Sequence, residues 1–413
     1  MMRVVVTGMG VVSPFGVGRN VLWENLCAGR SAVREIQRFD ASGYPVRIGA
    51  EVTGFNPEDF MEKKEIRKMD LFIQYGIAAV SEAVAHADLR DGTTPAERIG
   101  VLMGTGIGGV GWIEAESLTL AAKGPRRVNP FLVPAVIGNL LPGYVSIMHG
   151  FKGPNMSLAT ACASAIHAIG EAAWIIRRGD ADAMIAGGAE ACLTPLGIAA
   201  FAAMRALSAR NDSPATASCP FSLSRDGFVL GEGAGAVVLE SEENARRRGA
   251  QILAEVAGYG ATSDAFHITA GPEDGEGPAR AMEIALARGG IPLEQVGYIN
   301  AHGTSTPLND ATETRAIKRV FGSLAYRIPV SSTKSMVGHA LGAAGGIETV
   351  ATVQSLLTGT IHPTINLTEP DPECDLDYVP EGARRADIAA ALCNALGFGG
   401  TNACIALRRW EDA

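Results

Sequence analysis

The sequence predicts an α/β protein made of two similar halves, and three observations lead there. Of 413 residues, 47% are hydrophobic, 50 are glycine and only 19% are charged, a composition of close-packed helices and strands joined by tight turns. Strand-like runs alternate with helical stretches, which is α/β order. The order then repeats, because in each half a strand delivers small and hydroxyl residues into the start of an alanine-rich helix: NMSLATACASA in the first, IPVSSTKSMVGHALGAAGG in the second.

In chain order, the first half reads as strand at 2–8, helix near 69–88, strand at 98–104, helix at 163–178, then strands at 181–188 and 235–240. The second half reads as strand at 252–263, helix near 277–289, strand at 296–305, helix from about 311, strand at 327–334, helix near 343–357 and a strand-like run at 392–407. Each strand is a short apolar run between turn residues, and each helix has apolar positions at helical spacing. Self-similarity on this scale indicates a pseudo-duplicated fold, with halves 1–250 and 251–413. No Pro/Ser-rich linker separates them, so they are expected to pack as one body.

The formal net charge of −9 gives no footing for nucleic-acid binding. Seven cysteines without a CxxC pair argue against a disulfide framework or a zinc ribbon and for a reducing compartment. The start MMRVVVTGMG runs directly into a strand with no secretory signature, so a cytoplasmic protein is expected. The most apolar window, 129–150, is interrupted by Pro134, Asn139, Pro142 and Gly143; it reads as pocket or interface rather than a membrane span.

The chemistry begins at Cys162. Residues 163–178 place Ile166, Ile169, Ala173 and Ile176 at helical spacing, with Arg177 and Arg178 in the last turn and Gly179 as the stop. Cys162 therefore heads a helix, whose positive end stabilises a thiolate and offers N–H groups to an oxyanion. A lone cysteine among small residues is ordinarily an inert hydrophobe; position singles this one out. Two histidines share such a position. His302 follows a strand in INAHGTSTPLND, where Asp310 and Glu313 read as an N-cap and its capping-box partner. His339 lies just ahead of a helix start, where an imidazole stays neutral and donates to a developing oxyanion. His86, His149, His167, His267 and His362 read as structural. A zinc site from Cys162, His302 and His339 ranks below acyl transfer because no ligand pair has the short spacing of a zinc motif. The Gly104, Gly106, Gly109 pattern after the strand at 98–104 imitates a dinucleotide fingerprint. It is rejected because no helix is expected to open at the glycines, which leaves an NAD-dependent dehydrogenase as a weak alternative.

TACASA around Cys162, NAHGTSTPLND around His302, SSTKSMVGHALGAAG from Ser331 through His339 and GFGGTN at 397–402 resemble the β-ketoacyl-acyl-carrier-protein synthases, in particular the elongating type II enzymes of fatty acid synthesis. RNDSPATASCPFSLSRDGFVLGEGAGAVVLE (210–240) and PTINLTEPDPECDLDYVP (363–380) extend the likeness over nearly the whole chain.

The resemblance implies a thiolase-like fold, a homodimer, acyl carrier protein as partner, and no cofactor or metal of the enzyme's own. It assigns Cys162 as acylated nucleophile, with the N–H groups of Cys162 and Phe398 as oxyanion hole. His302 and His339 become donors to the malonyl thioester, supported by Lys334 and Glu348, which read equally as a structural ion pair. Ile107 and Phe201 become lining of the acyl tunnel, and Phe398 a gate. Lys64, Arg67 and Lys68, taken as one helical face, with Arg126, Arg127 and Arg205, become docking cations for the carrier. The chain has Leu396 where many members carry an aromatic residue. A polyketide ketosynthase is the nearest alternative; a non-catalytic chain-length-factor subunit is disfavoured by the presence of Cys162, His302 and His339. With no appended acyltransferase or linker in view, a stand-alone enzyme is expected.

Overall fold

Val4–Ser13 (β1) is buried along its whole length, and the rest of the sheet is laid out around it. The structure, a computed structural model, describes residues 2–90 and 92–411. After β1 come Ile99–Gly104 (β2), Asn155–Leu158 (β3), Ala183–Glu190 (β4) and Gly233–Ser241 (β5). A second set follows: Ala254–Ser263 (β6), Val296–Asn300 (β7), Val330–Ser331 (β8), Ala390–Gly397 (β9) and Thr401–Arg409 (β10). The sheet order is β8-β7-β9-β10-β6-β1-β5-β4-β2-β3.

Counted from its own first strand, each set runs 1-5-4-2-3 outward from the β1/β6 junction. The pairing senses also match: two antiparallel ladders, then two parallel ones, on each side. The parallel outer strands need helical crossovers that cover both faces of the sheet. Leu71–Ala87 (α1) covers β1, β4 and β5, and Glu276–Gly289 (α3) covers β6 and β10.

Ser164–Arg177 (α2) and Ala344–Thr358 (α5) occupy the middle, touching strands of both sets and each other. Ile166 and Ile169 share one core with Ile347, Val350 and Val353. A helix buried on every side is apolar and small all round. In the second set, Pro307–Phe321 (α4) links β7 to β8. Both central helices are led by a 3-10 turn, Ala161–Ala163 and Leu341–Ala343, and each turn opens on a non-glycine residue with positive φ, Ala161 at 50° and Leu341 at 46°.

The elements match the expected order with four differences, one being that the strand expected at 296–305 ends at Asn300. The run at 392–407 is a hairpin, β9 and β10, because Phe398–Gly400 turns the chain with Gly399 and Gly400 at positive φ. The segment at 327–334 keeps only two strand residues before a four-residue helix, Lys334–Val337. A helix, Val110–Lys123, does open at Gly109, contrary to expectation. Among the described residues no helix is long and apolar enough to cross a membrane. The 129–150 window forms two short helices, and at this end of the sheet β3 is a partly exposed edge. Phe131, Val133, Ile137 and Ile147 are exposed in that window, as is Met156 in β3.

The close approach of α5 to β5 tests the packing. A Cβ on Gly346 would lie 2.4 Å from the Gly235 carbonyl oxygen, and backbone cannot yield as a side-chain tip can. Gly346→Val is therefore expected to destabilise the protein by about 3 kcal/mol, read as a lowered urea midpoint at unchanged slope; a midpoint like wild type would contradict this packing.

Candidate active site

Cys162 sits in the 3-10 turn that leads α2, one residue after strained Ala161, so the chain reverses there and aims the thiol out of the helix end. His339 is placed from the other half. Its N–H donates to the Val229 carbonyl (2.7 Å) and its carbonyl accepts from Gly231 (3.0 Å), which fixes its backbone against residues 229–231. The two side chains then meet, with His339 Nε2 3.0 Å from Cys162 Sγ. His302, in the loop after β7, stands edge-on to His339 with ring centres 5.3 Å apart. Lys334 Nζ lies 3.4 Å from His302 Nδ1 and forms a buried ion pair with Glu348.

All five groups are buried, and burial governs their protonation. It pushes the Cys162 thiol up to about 12, while the Lys334 charge and the Phe398 N–H pull the other way. The thiol is thus the resting form, which tempers the stabilised thiolate expected from helix position alone. Burial first and the Lys334 charge second hold both histidines well below the usual imidazole range. Both rings are neutral near neutral pH, as their positions in the sequence suggested.

Cys162, His302 and His339 line a cavity of about 600 Å³, together with Ile107, Phe201 and Phe398. Ile107 and Phe398 are partly exposed, at 49% and 37%. Leu396 also lines the cavity. Arg205 lies on this cavity, whereas Lys64, Arg67, Lys68, Arg126 and Arg127 line a separate surface basin with Lys123. The helix carrying Lys64 is only four residues, Lys63–Ile66, so these cations are gathered by tertiary packing and not by one helical face. The Sγ of Cys162 and one ring nitrogen of each of His302 and His339 also lie within 4.8 Å of one another, a donor set for a thiophilic cation that the nearby Lys334 charge opposes.

Asp310 is not an N-cap. The cap residue of α4 is Thr306, and Asp310 lies inside the first turn, where its carboxylate accepts the N–H groups of Phe221 (2.8 Å) and Ser305 (3.2 Å) and faces Arg225 at 3.7 Å. Pro307 starts the helix earlier than the acidic residues suggested. Glu313 is no capping-box partner either. Its carboxylate accepts the N–H of His302 and of Gly303, both at 2.8 Å, and the Asn394 amide at 3.2 Å. It holds the His302 loop from beneath, a role legible in the sequence only as an acidic residue on a helix after a histidine loop.

The glycine pattern after β2 has an equally physical resolution. The N–H groups of Gly106, Ile107 and Gly108, which would greet a pyrophosphate, all donate to the buried Glu190 carboxylate. The loop's anion is part of the protein.

Comparison with known proteins agrees with this geometry. The beta-ketoacyl synthase N-terminal domain model matches residues 1–245 and the C-terminal domain model matches residues 253–368. This chain belongs to the β-ketoacyl synthase family. It is 51% identical to 3-oxoacyl-[acyl-carrier-protein] synthase 2 of Coxiella burnetii over 99% of both chains, and 51% identical to that of Vibrio cholerae over 98% of this chain and 99% of the other. Among solved structures it resembles a β-ketoacyl synthase from Burkholderia phymatum (TM-score 0.92, 37% identity, 100% of both chains). It also resembles a chain of a structure described as a type II PKS acyl-carrier protein in complex with its ketosynthase bound to the hexaketide (TM-score 0.92, 38% identity, 99% of this chain and 100% of that chain). The fold is the thiolase-like one of the ketosynthases.

In Glu313→Gln one acceptor oxygen becomes an NH2 group, which cannot accept the backbone N–H of the His302 loop that it faces. Glu313→Gln is expected to lose about 2 kcal/mol of stability in urea unfolding, while Cys162 still alkylates with iodoacetamide as in wild type.

Proposed function

We propose that this protein is the condensing enzyme of fatty acid elongation, a 3-oxoacyl-acyl-carrier-protein synthase. The carrying observation is the thiol of Cys162 set 3.0 Å from a neutral imidazole, with a second neutral imidazole alongside, in the wall of a mainly apolar cavity.

In the first step the Cys162 sulfur attacks the acyl thioester of the carrier's phosphopantetheine. The carbon–sulfur bond to the carrier breaks, the acyl group stays on Cys162, and the proton leaves with the carrier thiol. The N–H groups of Cys162 and Phe398 stabilise the oxyanion. In the second step malonyl carrier binds, and His302 and His339 donate to its thioester oxygen. Loss of CO2 leaves its electron pair in an enolate, which attacks the acyl-Cys162 carbonyl; the new carbon–carbon bond gives 3-oxoacyl carrier and frees the cysteine sulfur to take up a proton. Lys334, paired with Glu348, stands beside His302 and disfavours imidazolium there. The reaction requires no cofactor or metal beyond the carrier's own phosphopantetheine.

Acyl carrier protein is the partner we assign, with Lys64, Arg67, Lys68, Arg126 and Arg127 as an anion-attracting basin and Arg205 at the cavity. We read the enzyme as a cytoplasmic homodimer, in which a second copy covers the exposed edge at β3 and the apolar ridge from Phe131 to Ile147. The second reading, a polyketide ketosynthase, is favoured by the likeness to the ketosynthase bound to the hexaketide. The 51% identical relatives named 3-oxoacyl-[acyl-carrier-protein] synthase 2 outweigh it. Product mass from acyl and malonyl carriers separates the two: one elongation per cycle supports the first reading, and an unreduced polyketone overturns it.

Cys162→Ala is expected to abolish the acyl adduct in intact-protein mass spectra with the fold retained; an adduct of wild-type amount would refute the nucleophile. His302→Ala or His339→Ala should still be acylated yet release little CO2 from malonyl carrier. Because both imidazoles titrate well below their usual range, they stay neutral as pH falls, and decarboxylation by preformed acyl-enzyme should be flat between about pH 6 and pH 8. A loss of CO2 release toward pH 6 would argue against neutral donors.

Selectivity is tested at the tunnel. Each methylene buried there contributes about 0.8 kcal/mol, so Ile107→Phe should lower condensation with palmitoyl chains and spare hexanoyl chains at unchanged melting temperature. A uniform loss across lengths would mark Ile107 as a cavity-lining residue with no part in chain-length selection.

A further inference from the structure

Glu190 ends β4 fully buried, and its carboxylate collects more hydrogen bonds than any one structural element supplies. Oε2 accepts the N–H of Gly106 at 2.6 Å and of Gly342 at 3.0 Å. Oε1 accepts the Thr105 hydroxyl at 3.0 Å and the N–H groups of Ile107 and Gly108, each at 3.3 Å. Cys192 Sγ adds a contact at 3.4 Å. Among the described residues no lysine or arginine pairs with it, so oriented dipoles hold the charge.

The two groups of donors belong to different halves of the chain. The loop after β2 carries Ile107 into the cavity, and Gly342 lies three residues beyond His339, in the turn that leads α5. A Cβ on Gly106 or on Gly342 would come within 2.7 Å of Glu190 Oε2, and on Gly342 within 2.2 Å of Gly106 N. Glycine at both places lets the two loops share one oxygen. The loops touch through this carboxylate at the point where the acyl cavity meets the histidine.

We propose that Glu190 is a positioning residue for acyl selection: by holding the Ile107 loop in register with the turn after His339, its carboxylate sets the depth of the acyl pocket and the place of the histidine together. The inference rests on the reading of the Ile107 cavity as the acyl tunnel. Glu190 does not line the cavity and makes no hydrogen bond to the Cys162 sulfur, so it acts through the two loops. In Glu190→Gln one oxygen becomes an NH2 group, which faces backbone N–H groups and has nothing to donate to. One of the two loops must then move.

The test uses the intact enzyme with hexanoyl and palmitoyl carriers, and compares wild type, Glu190→Gln, Glu190→Asp and Ile107→Phe. Four quantities are read: acyl adduct on Cys162, CO2 release from malonyl carrier, kcat/KM for each chain and melting temperature. Glu190→Gln is expected to keep a hexanoyl adduct, change the palmitoyl-to-hexanoyl ratio of kcat/KM by about tenfold, and slow CO2 release from the acylated enzyme. Glu190→Asp, which keeps the charge with a shorter reach, should shift the same ratio to a smaller degree, and it carries the test if the glutamine variant does not fold. Losses that are equal for both chains and follow melting temperature, beside a length-dependent Ile107→Phe, overturn the role of Glu190 alone. A flat profile for Ile107→Phe overturns the tunnel reading and the role of Glu190 with it.

Discussion

Two apolar helices packed in the middle of the molecule set everything else. α2 and α5 touch each other and strands of both sets, and only small residues allow that approach: a Cβ on Gly345 would lie 2.5 Å from the Ile166 side chain, and one on Gly104 2.6 Å from the Ser164 backbone. Their leading turns end at the same place. One brings Cys162 and the other follows His339, so a contact between residues 177 positions apart follows from the packing of two helix ends.

That placement leaves a dry site rich in ionisable groups, and the protein balances it in two ways. Lys334 and Glu348 neutralise each other in the interior, and a pair of this kind is strongly destabilising to break from one side. Glu190 and Glu313 instead consume loop N–H groups that would otherwise be buried without partners. Burial, with the Lys334 charge beside them, keeps both histidine rings neutral. A neutral donor is what a developing enolate oxygen meets at least cost, since no proton need be moved before the carbon–carbon bond forms.

The cavity opens where the two sets of loops meet. The cavity is walled by the loop after β2, by Phe201, and by the β9–β10 turn carrying Phe398. That turn is tied back by the Gly399 N–H to Ile268 and by the Asp264 N–H to Gly400, so movement of Phe398 involves residues 264–268 as well. Leu396 sits at the base of this turn and lines the same cavity.

Much of this was legible in the sequence. Helical spacing located α2 to within a residue at either end, and motif likeness identified Cys162, His302, His339, Lys334 and Glu348, which the structure brings together. Asp310 and Glu313 were misread because local capping rules see only neighbours in sequence, while Pro307 moved the helix start and distant N–H groups claimed both carboxylates. Glu190 was invisible for a related reason: an acidic residue at the end of a strand carries no periodic or motif signal, and its five N–H and O–H donors come from residues 105–108 and 342. Composition and periodicity determine elements because those depend on neighbours a few residues apart. The sequence by itself therefore determined the α/β order, the duplication and the Cys162, His302 and His339 positions that the structure brings together; which buried carboxylates hold the loops, and how Lys64, Arg67, Lys68, Arg126, Arg127 and Arg205 divide between a surface basin and the cavity, was decided only when tertiary packing set partners from remote parts of the chain against each other.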